Sequence, residues 1–142
     1  MIAEQMEAFA TKLIHKTNDC EVNWQVLAHY PFSENGYPDF ISRVSTYLEV
    51  SEFCFLLADN SFFFLHDEGI VALLRTDHMS GKDRSQWTEY ALAIQIRKNA
   101  PVTVCSLPGL QELLSILYNA ILNNINGDLE LPNDLYEFMQ SC

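Results

Sequence analysis

The sequence predicts one α+β domain over residues 1–142, with an N-terminal helix, a central antiparallel β-meander of about 4–5 strands, and C-terminal helices packed on the sheet. Three observations predict it. Apolar residues recur at helical spacing at both ends of the chain. Short aromatic-rich runs separated by turn residues fill the middle, and no repeat, low-complexity tract or linker divides the chain. A chain of 142 residues buries most of the surface it exposes when unfolded, and 49% apolar residues are ample for a core.

Ile2, Met6, Phe9, Ala10, Leu13 and Ile14 place one apolar stripe on an opening helix, with Asn18 and Asp19 as its breakers. Val22, Trp24 and Val26 alternate as in a short strand, although Leu27 and Ala28 also permit a helix. Residues 30–38 form a loop by their Pro and Gly content. Over 39–49, Phe40, Ile41, Val44 and Leu48 suit a helix beginning just after Pro38, while Val44, Thr46, Leu48 and Val50 suit a strand; the helix is preferred.

Residues 52–57 and 61–66 read as strands on either side of the turn Ala58-Asp59-Asn60. Asp67-Glu68-Gly69 joins the second of them to a strand over 70–75, with Gly69 expected to supply the positive φ of a three-residue hairpin. Residues 78–85 read as a polar exposed loop. Over 89–96, Tyr90, Leu92, Ile94 and Ile96 alternate with Glu89, Ala91, Ala93 and Gln95, the pattern of a half-buried strand. Residues 97–101 turn the chain into a short strand over 102–105. Ser106 is expected to cap the next helix, with Pro108 in its first turn. Leu110, Leu113, Leu114, Leu117, Tyr118 and Ile121 form its stripe, widened by Ile116, Ala120 and Leu122, so cover on more than one side is expected. Pro132 opens a final helix through Leu135, Tyr136, Phe138 and Met139. Phe62, Phe63 and Phe64 in succession must point to both faces of the sheet, and the two terminal helical regions are the expected cover.

Nineteen acids against eight Lys/Arg give a net charge of −11, unevenly spread. Residues 1–60 hold nine acids and three bases, 61–98 hold five of each, and 99–142 hold five acids and no Lys or Arg. Nucleic-acid binding needs a basic footprint that displaces counterions, so direct binding to DNA, RNA or an anionic membrane is not expected. The acidity fits either solubility or a surface for a basic protein partner. Asp128, Glu130, Asp134 and Glu137 are the candidate acidic interaction surface. Cys20, Cys54, Cys105 and Cys142 show no C-x-x-C spacing, as in a reduced chain. The first ten residues carry Glu4 and Glu7 without a basic n-region, and the apolar stretch 53–74 is broken by polar residues. A cytoplasmic location is therefore expected.

The order of these features resembles a loose group of small uncharacterised bacterial α+β proteins. It has an opening helix ending in Lys16-Thr17, then Trp24, then a hairpin from Ser61-Phe62-Phe63-Phe64 to Gly69-Ile70-Val71-Ala72-Leu73-Leu74-Arg75. A strand with Leu92-Ala93-Ile94-Gln95 and a helix with Leu117-Tyr118-Asn119-Ala120-Ile121 follow. Residues 30–58 and the tail after Asn124 depart from the pattern. The resemblance implies the architecture and no activity.

Local chemistry is sparse. His15, His29, His66 and His78 are each isolated, and no G-x-S-x-G surrounds a serine. His66-Asp67-Glu68 and Asp77-His78 could serve a divalent metal, but they lie at opposite ends of one strand, roughly 20 Å apart at strand rise, and turn chemistry accounts for the acids. Ser80-Gly81-Lys82 lacks the upstream glycine of a P-loop, and Asp83 follows where Ser or Thr should bind magnesium. No catalytic, cofactor-binding or metal-ligating residue is assigned, and no cofactor is expected. Three functions stay open. The first is a non-enzymatic protein-interaction factor, such as a regulator, inhibitor or immunity-type protein. The second is a small-ligand binder with a pocket between the aromatic strands (Phe53, Phe55, Phe62, Phe63, Phe64) and a helix. The third is an enzyme whose site only the fold assembles, to be recognised by His66 or His78 within reach of a Cys, Ser or carboxylate. The wide apolar surface of helix 106–124 also leaves a homodimer open.

Overall fold

The computed structural model describes residues 2–49, 54–127 and 133–141. Helix α1 (Ile2–Asn18) leads through a two-residue strand β1 (Gln25–Val26) and a 3-10 turn to α2 (Pro38–Glu49). Strands β2 (Cys54–Leu56), β3 (Phe62–His66), β4 (Gly69–Met79), β5 (Gln86–Gln95) and β6 (Thr103–Cys105) follow, then α3 (Gln111–Gly127) and α4 (Asn133–Ser141). The protein is thus α+β, with helices packed on an antiparallel sheet, and residues 39–49 are helical. Among the described residues no helix is long and apolar enough to cross a membrane.

The long β4–β5 hairpin, paired from Ile70↔Gln95 to Met79↔Gln86, is the spine of the sheet. A strict meander would pair β2 with β3. Instead both lie along the same edge of β4, β2 against residues 76–78 and β3 against residues 69–73. They follow one another along that side, separated by the 3-10 turn Ala58–Asn60, and β1 pairs with the outer side of β3 at Phe62 and Phe63. At the interruption the Arg75 amide donates to Ser61 Oγ at 3.0 Å, and Ser61 Oγ donates to the Leu57 carbonyl at 2.8 Å. A serine side chain thus replaces the missing ladder partner.

Both faces of the sheet are covered, but not as the sequence order suggested. The terminal helices α1 and α3 share one face. There Ala10, Leu13, Leu114, Leu117 and Ile121 pack with Trp24, Phe62, Leu73 and Leu92. The opposite face is covered by α2 and the preceding loop, where Phe32, Tyr37, Phe40 and Val44 meet Phe63, Ala72, Leu74 and Ala93. The loop over 30–37 therefore supplies core: Phe32 stacks on Phe40 at 5.2 Å and tilts against Phe63 at 5.1 Å. Covering both faces also removes the half-buried character expected of β5, since Ala91, Leu92 and Ala93 are all buried. Gln95, expected to face water, is buried and donates through Nε2 to the carbonyls of Lys98 (3.0 Å) and Ala100 (2.9 Å). Ile96, expected inside, lies past the strand end and is exposed.

Local backbone details depart from expectation for identifiable reasons. The turn after β3 has two residues, because His66 pairs directly with Gly69. Its positive φ falls on Asp67 (+52°), a residue type that tolerates it. Gly69 is required for a different reason: a Cβ there would lie 2.5 Å from the Gln95 carbonyl oxygen. Ser106 does not cap a helix; its hydroxyl donates to the Tyr90 carbonyl at 3.0 Å, and a 3-10 turn, Pro108–Leu110, precedes α3. Helix α1 ends at Cys20 (φ +58°), with Glu21 N donating to the Lys16 carbonyl and Cys20 N to the Thr17 carbonyl, which satisfies its last carbonyls. Next to that end Trp24 Nε1 donates to the buried Thr17 hydroxyl at 2.9 Å, so Thr17 and Trp24 act as a lock between helix and sheet.

Candidate functional site

Strand β4 runs on through Met79 and β5 begins at Gln86, so His78, expected in a loop, is a strand residue. The distal arm, residues 76–79 with 86–89, projects beyond the core. It has no need of an apolar pattern, which is why its sequence reads as a loop. Only the tight turn at 80–85 is irregular, held by Asp83, which accepts from the amide (3.0 Å) and hydroxyl (2.8 Å) of Ser85. Those bonds hold the Asp83 carboxyl below its ordinary range.

On one face of the arm, register places Cys54, Thr76, His78, Trp87 and Glu89 together. The His78 ring stacks on Trp87 with 5.4 Å between centroids and 10° between planes. Trp87 Nε1 donates to Glu89 Oε1 at 3.0 Å, and His78 Nε2 lies 3.4 Å from Glu89 Oε2. One carboxylate therefore fixes both rings. On the other face Thr88 donates to Asp77 Oδ1 at 3.0 Å, and Phe55, which pairs with Asp77, stands free. Trp87 is 44% exposed and Phe55 is 59% exposed. The Phe55 side chain, a candidate for the core or a ligand pocket, therefore faces water. A shallow concavity of about 310 Å³ opens between Phe55, Asp77, Met79, Gln86 and Thr88.

This is the place where the fold brings a histidine to a cysteine and a carboxylate, with Cys54 Sγ 3.7 Å from His78 Nε2. The chemistry does not follow from the proximity. The Thr76 hydroxyl donates to the Glu89 carbonyl at 3.2 Å, which leaves Oγ1 as the acceptor for His78 Nε2 at 2.9 Å. The hydrogen-bond network thus assigns the ring proton to Nε2. The nitrogen facing the thiol is a donor and cannot take its proton, and the same nitrogen faces Glu89, so no relay across the ring forms. Burial pushes the Cys54 thiol up, more than the Thr76 hydroxyl pulls it down, and the Glu89 carboxylate adds to the rise, the reverse of an activated nucleophile.

A second concavity, about 330 Å³, lies between α1 and the end of β3. Phe9, Leu13, Val22, Phe64 and Val71 line it, with Lys12, Lys16, Glu21 and His66 around them. It lies between a helix and a strand end, and of the five phenylalanines considered for a ligand pocket only Phe64 lines it. Phe62 and Phe63 are core, and Phe53 lies outside the described residues.

The sheet separates His66 from His78, one at each end of β4. Among the described residues no three His, Cys, Asp or Glu side chains gather as a metal site. Of the acidic C-terminal candidates, Asp128 and Glu130 lie outside the described residues, Asp134 belongs to α4, and Glu137 is exposed on α4. Sequence reading missed Arg75 as a half-buried charge. Its Nη1 donates to Tyr118 Oη at 2.9 Å, while its Nε is buried without a partner. The hydrogen bond to Tyr118 raises its pKa, keeping it charged. No signal short of the register of β4 against α3 would have revealed that pair. No protein-family model, curated protein or solved structure matches this chain, so the two sites themselves carry the functional reading.

Proposed function

We propose that this chain is a non-enzymatic protein-interaction factor, of the regulator or inhibitor kind, that engages its partner through the distal arm of the β4–β5 hairpin. One observation carries the reading: Trp87 is exposed yet held in place by His78 on its face and Glu89 at its indole N–H. A large aromatic side chain fixed in water gains little for the fold. As a preformed anchor it binds without losing rotamer freedom, the property of interface hot spots. Phe55 offers a second anchor on the opposite face, so a partner that straddles the arm meets both.

The net charge of −11 supports a basic partner, whose encounter rate falls as salt screens the field, while dissociation is governed by the aromatic anchors. The test is capture from native cell extract by the immobilised chain, with the bound proteins identified by mass spectrometry. Wild type is expected to retain a specific protein that Trp87→Ala loses by tenfold or more, with Phe55→Ala reporting the other face. Equal retention by wild type and both variants would refute the site.

A further inference from the structure

We propose that two copies of this chain pair by exchanging helix α4, each laying its acidic, apolar C-terminal helix into the basic-rimmed groove beside α1 of the other. Neither surface belongs to the Trp87 site, so the inference stands apart from the reading above.

The groove has an apolar floor of Phe9, Leu13, Phe64 and Val71 and carries Lys12 and Lys16, one helical turn apart on α1, with His66 across from them and Glu21 beside them. In a chain of net charge −11 with only eight Lys/Arg, two of those bases stand at this one apolar concavity. Helix α4 has the complementary character. Phe138 and Met139 are 66% and 57% exposed, and together with position 135 they fall at i, i+3 and i+4, the spacing of one helix face. Residues 128–142 hold Asp128, Glu130, Asp134 and Glu137 and no Lys or Arg. With two lysines against one glutamate in a chain of net charge −11, this groove is a place where an acidic helix meets opposite charge. A concavity of about 330 Å³ has room for an aromatic and a thioether side chain.

The tether is placed for exchange. Asn124 Nδ2 near the end of α3 donates to the Thr17 carbonyl at 3.3 Å and lies 3.2 Å from Cys20 Sγ. The chain therefore leaves the domain beside the end of α1 that carries Lys16 and Glu21. The five residues 128–132 span at most about 17 Å, enough to reach a neighbour docked against that end. In the chain's own fold Phe138 and Met139 stay exposed, which leaves them available to a second copy. A two-fold axis makes the contact twice, which is how two small surfaces add up to a stable pair.

Light scattering on the full chain tests this. Wild type is expected to run as a dimer, twice the 16.3 kDa chain, at micromolar concentration. The full-length variants Lys12→Glu/Lys16→Glu and Phe138→Asp/Met139→Asp are each expected to raise the dissociation constant tenfold or more. All four side chains lie at the surface, and circular dichroism verifies that the fold persists. Combining Lys12→Glu/Lys16→Glu with Asp134→Lys/Glu137→Lys is expected to restore the dimer, which a merely destabilised protein would not do. A monomeric wild type would overturn the proposal, as would a dimer indifferent to both double variants or reversals that stay monomeric in the charge-swapped chain.

Discussion

Over residues 70–74 and 91–93 the β4–β5 hairpin is buried on both faces by helices and the aromatic loop. Over residues 76–79 and 86–89 the same two strands, in the same register, carry Thr, Asp, His, Met, Gln, Glu and Trp side chains, with Trp87 exposed. Hydrogen bonding along the hairpin is continuous, so secondary structure does not distinguish the halves. What differs is cover. The proximal half places Leu73, Leu74 and Leu92 where packing rewards every methylene. The distal half is held by side-chain hydrogen bonds and a ring stack, and it leaves Phe55 and Trp87 exposed.

The largest break in that comparison comes from the proximal half. Leu92→Ala removes a fully buried side chain between α3 and the sheet and is expected to cost about 2–5 kcal/mol, read as a lower midpoint in urea unfolding. A loss under that range would mean the core collapses around the cavity. Gly69→Ala is next. Its Cβ would press on the Gln95 and Ile96 carbonyl oxygens at 2.5 and 2.8 Å, backbone atoms that cannot swing aside, for an expected loss of about 1–3 kcal/mol. If instead the substitution stabilises, the glycine serves chain entropy and the close approach is relieved. In the distal half, Trp87→Ala is expected to shift stability by only about 0.5 kcal/mol, since surface changes seldom exceed that.

Chemistry sharpens the same contrast with the smallest effect. Because burial raises the Cys54 thiol, its alkylation by iodoacetamide at pH 8 is expected to lag behind that of exposed Cys20, followed by mass spectrometry of peptides. The sign for stability follows from linkage. A thiol whose pKa is raised on folding contributes stability that is present below its ordinary value of 9.0 and is lost as pH climbs through the raised one. Faster reaction at Cys54 than at Cys20 would mark an activated thiol and reopen a catalytic role for His78.

Periodicity reveals most of this fold because helices with one dry stripe and strands between turn residues leave period-specific patterns. That sufficed for α1, α3 and the pairing of the proximal hairpin, whereas over 39–49 helix and strand patterns fitted alike and a helix forms. It failed where side chains do something other than alternate. Phe32 and Tyr37 sit in a Pro/Gly loop yet enter the core, because a loop can lay aromatic rings on a sheet without any period. Residues 78–85 read as a polar loop although β4 runs on to Met79, because the strands of the arm answer to water, not to a core. The candidate site was illegible for the same reason: Cys54, Thr76, His78, Trp87 and Glu89 come from three strands, and only their register brings them together. The His78 ring proton is directed by a threonine hydroxyl, which no spacing rule selects.

The division of the hairpin is most directly tested by hydrogen exchange across β4 and β5, with and without the partner captured by the wild-type chain. Slowed exchange of amides over 76–79 and 86–89 on binding, with those over 70–75 and 90–95 unchanged, is the predicted result. Protection that appears elsewhere on the chain while the arm exchanges as before would contradict it.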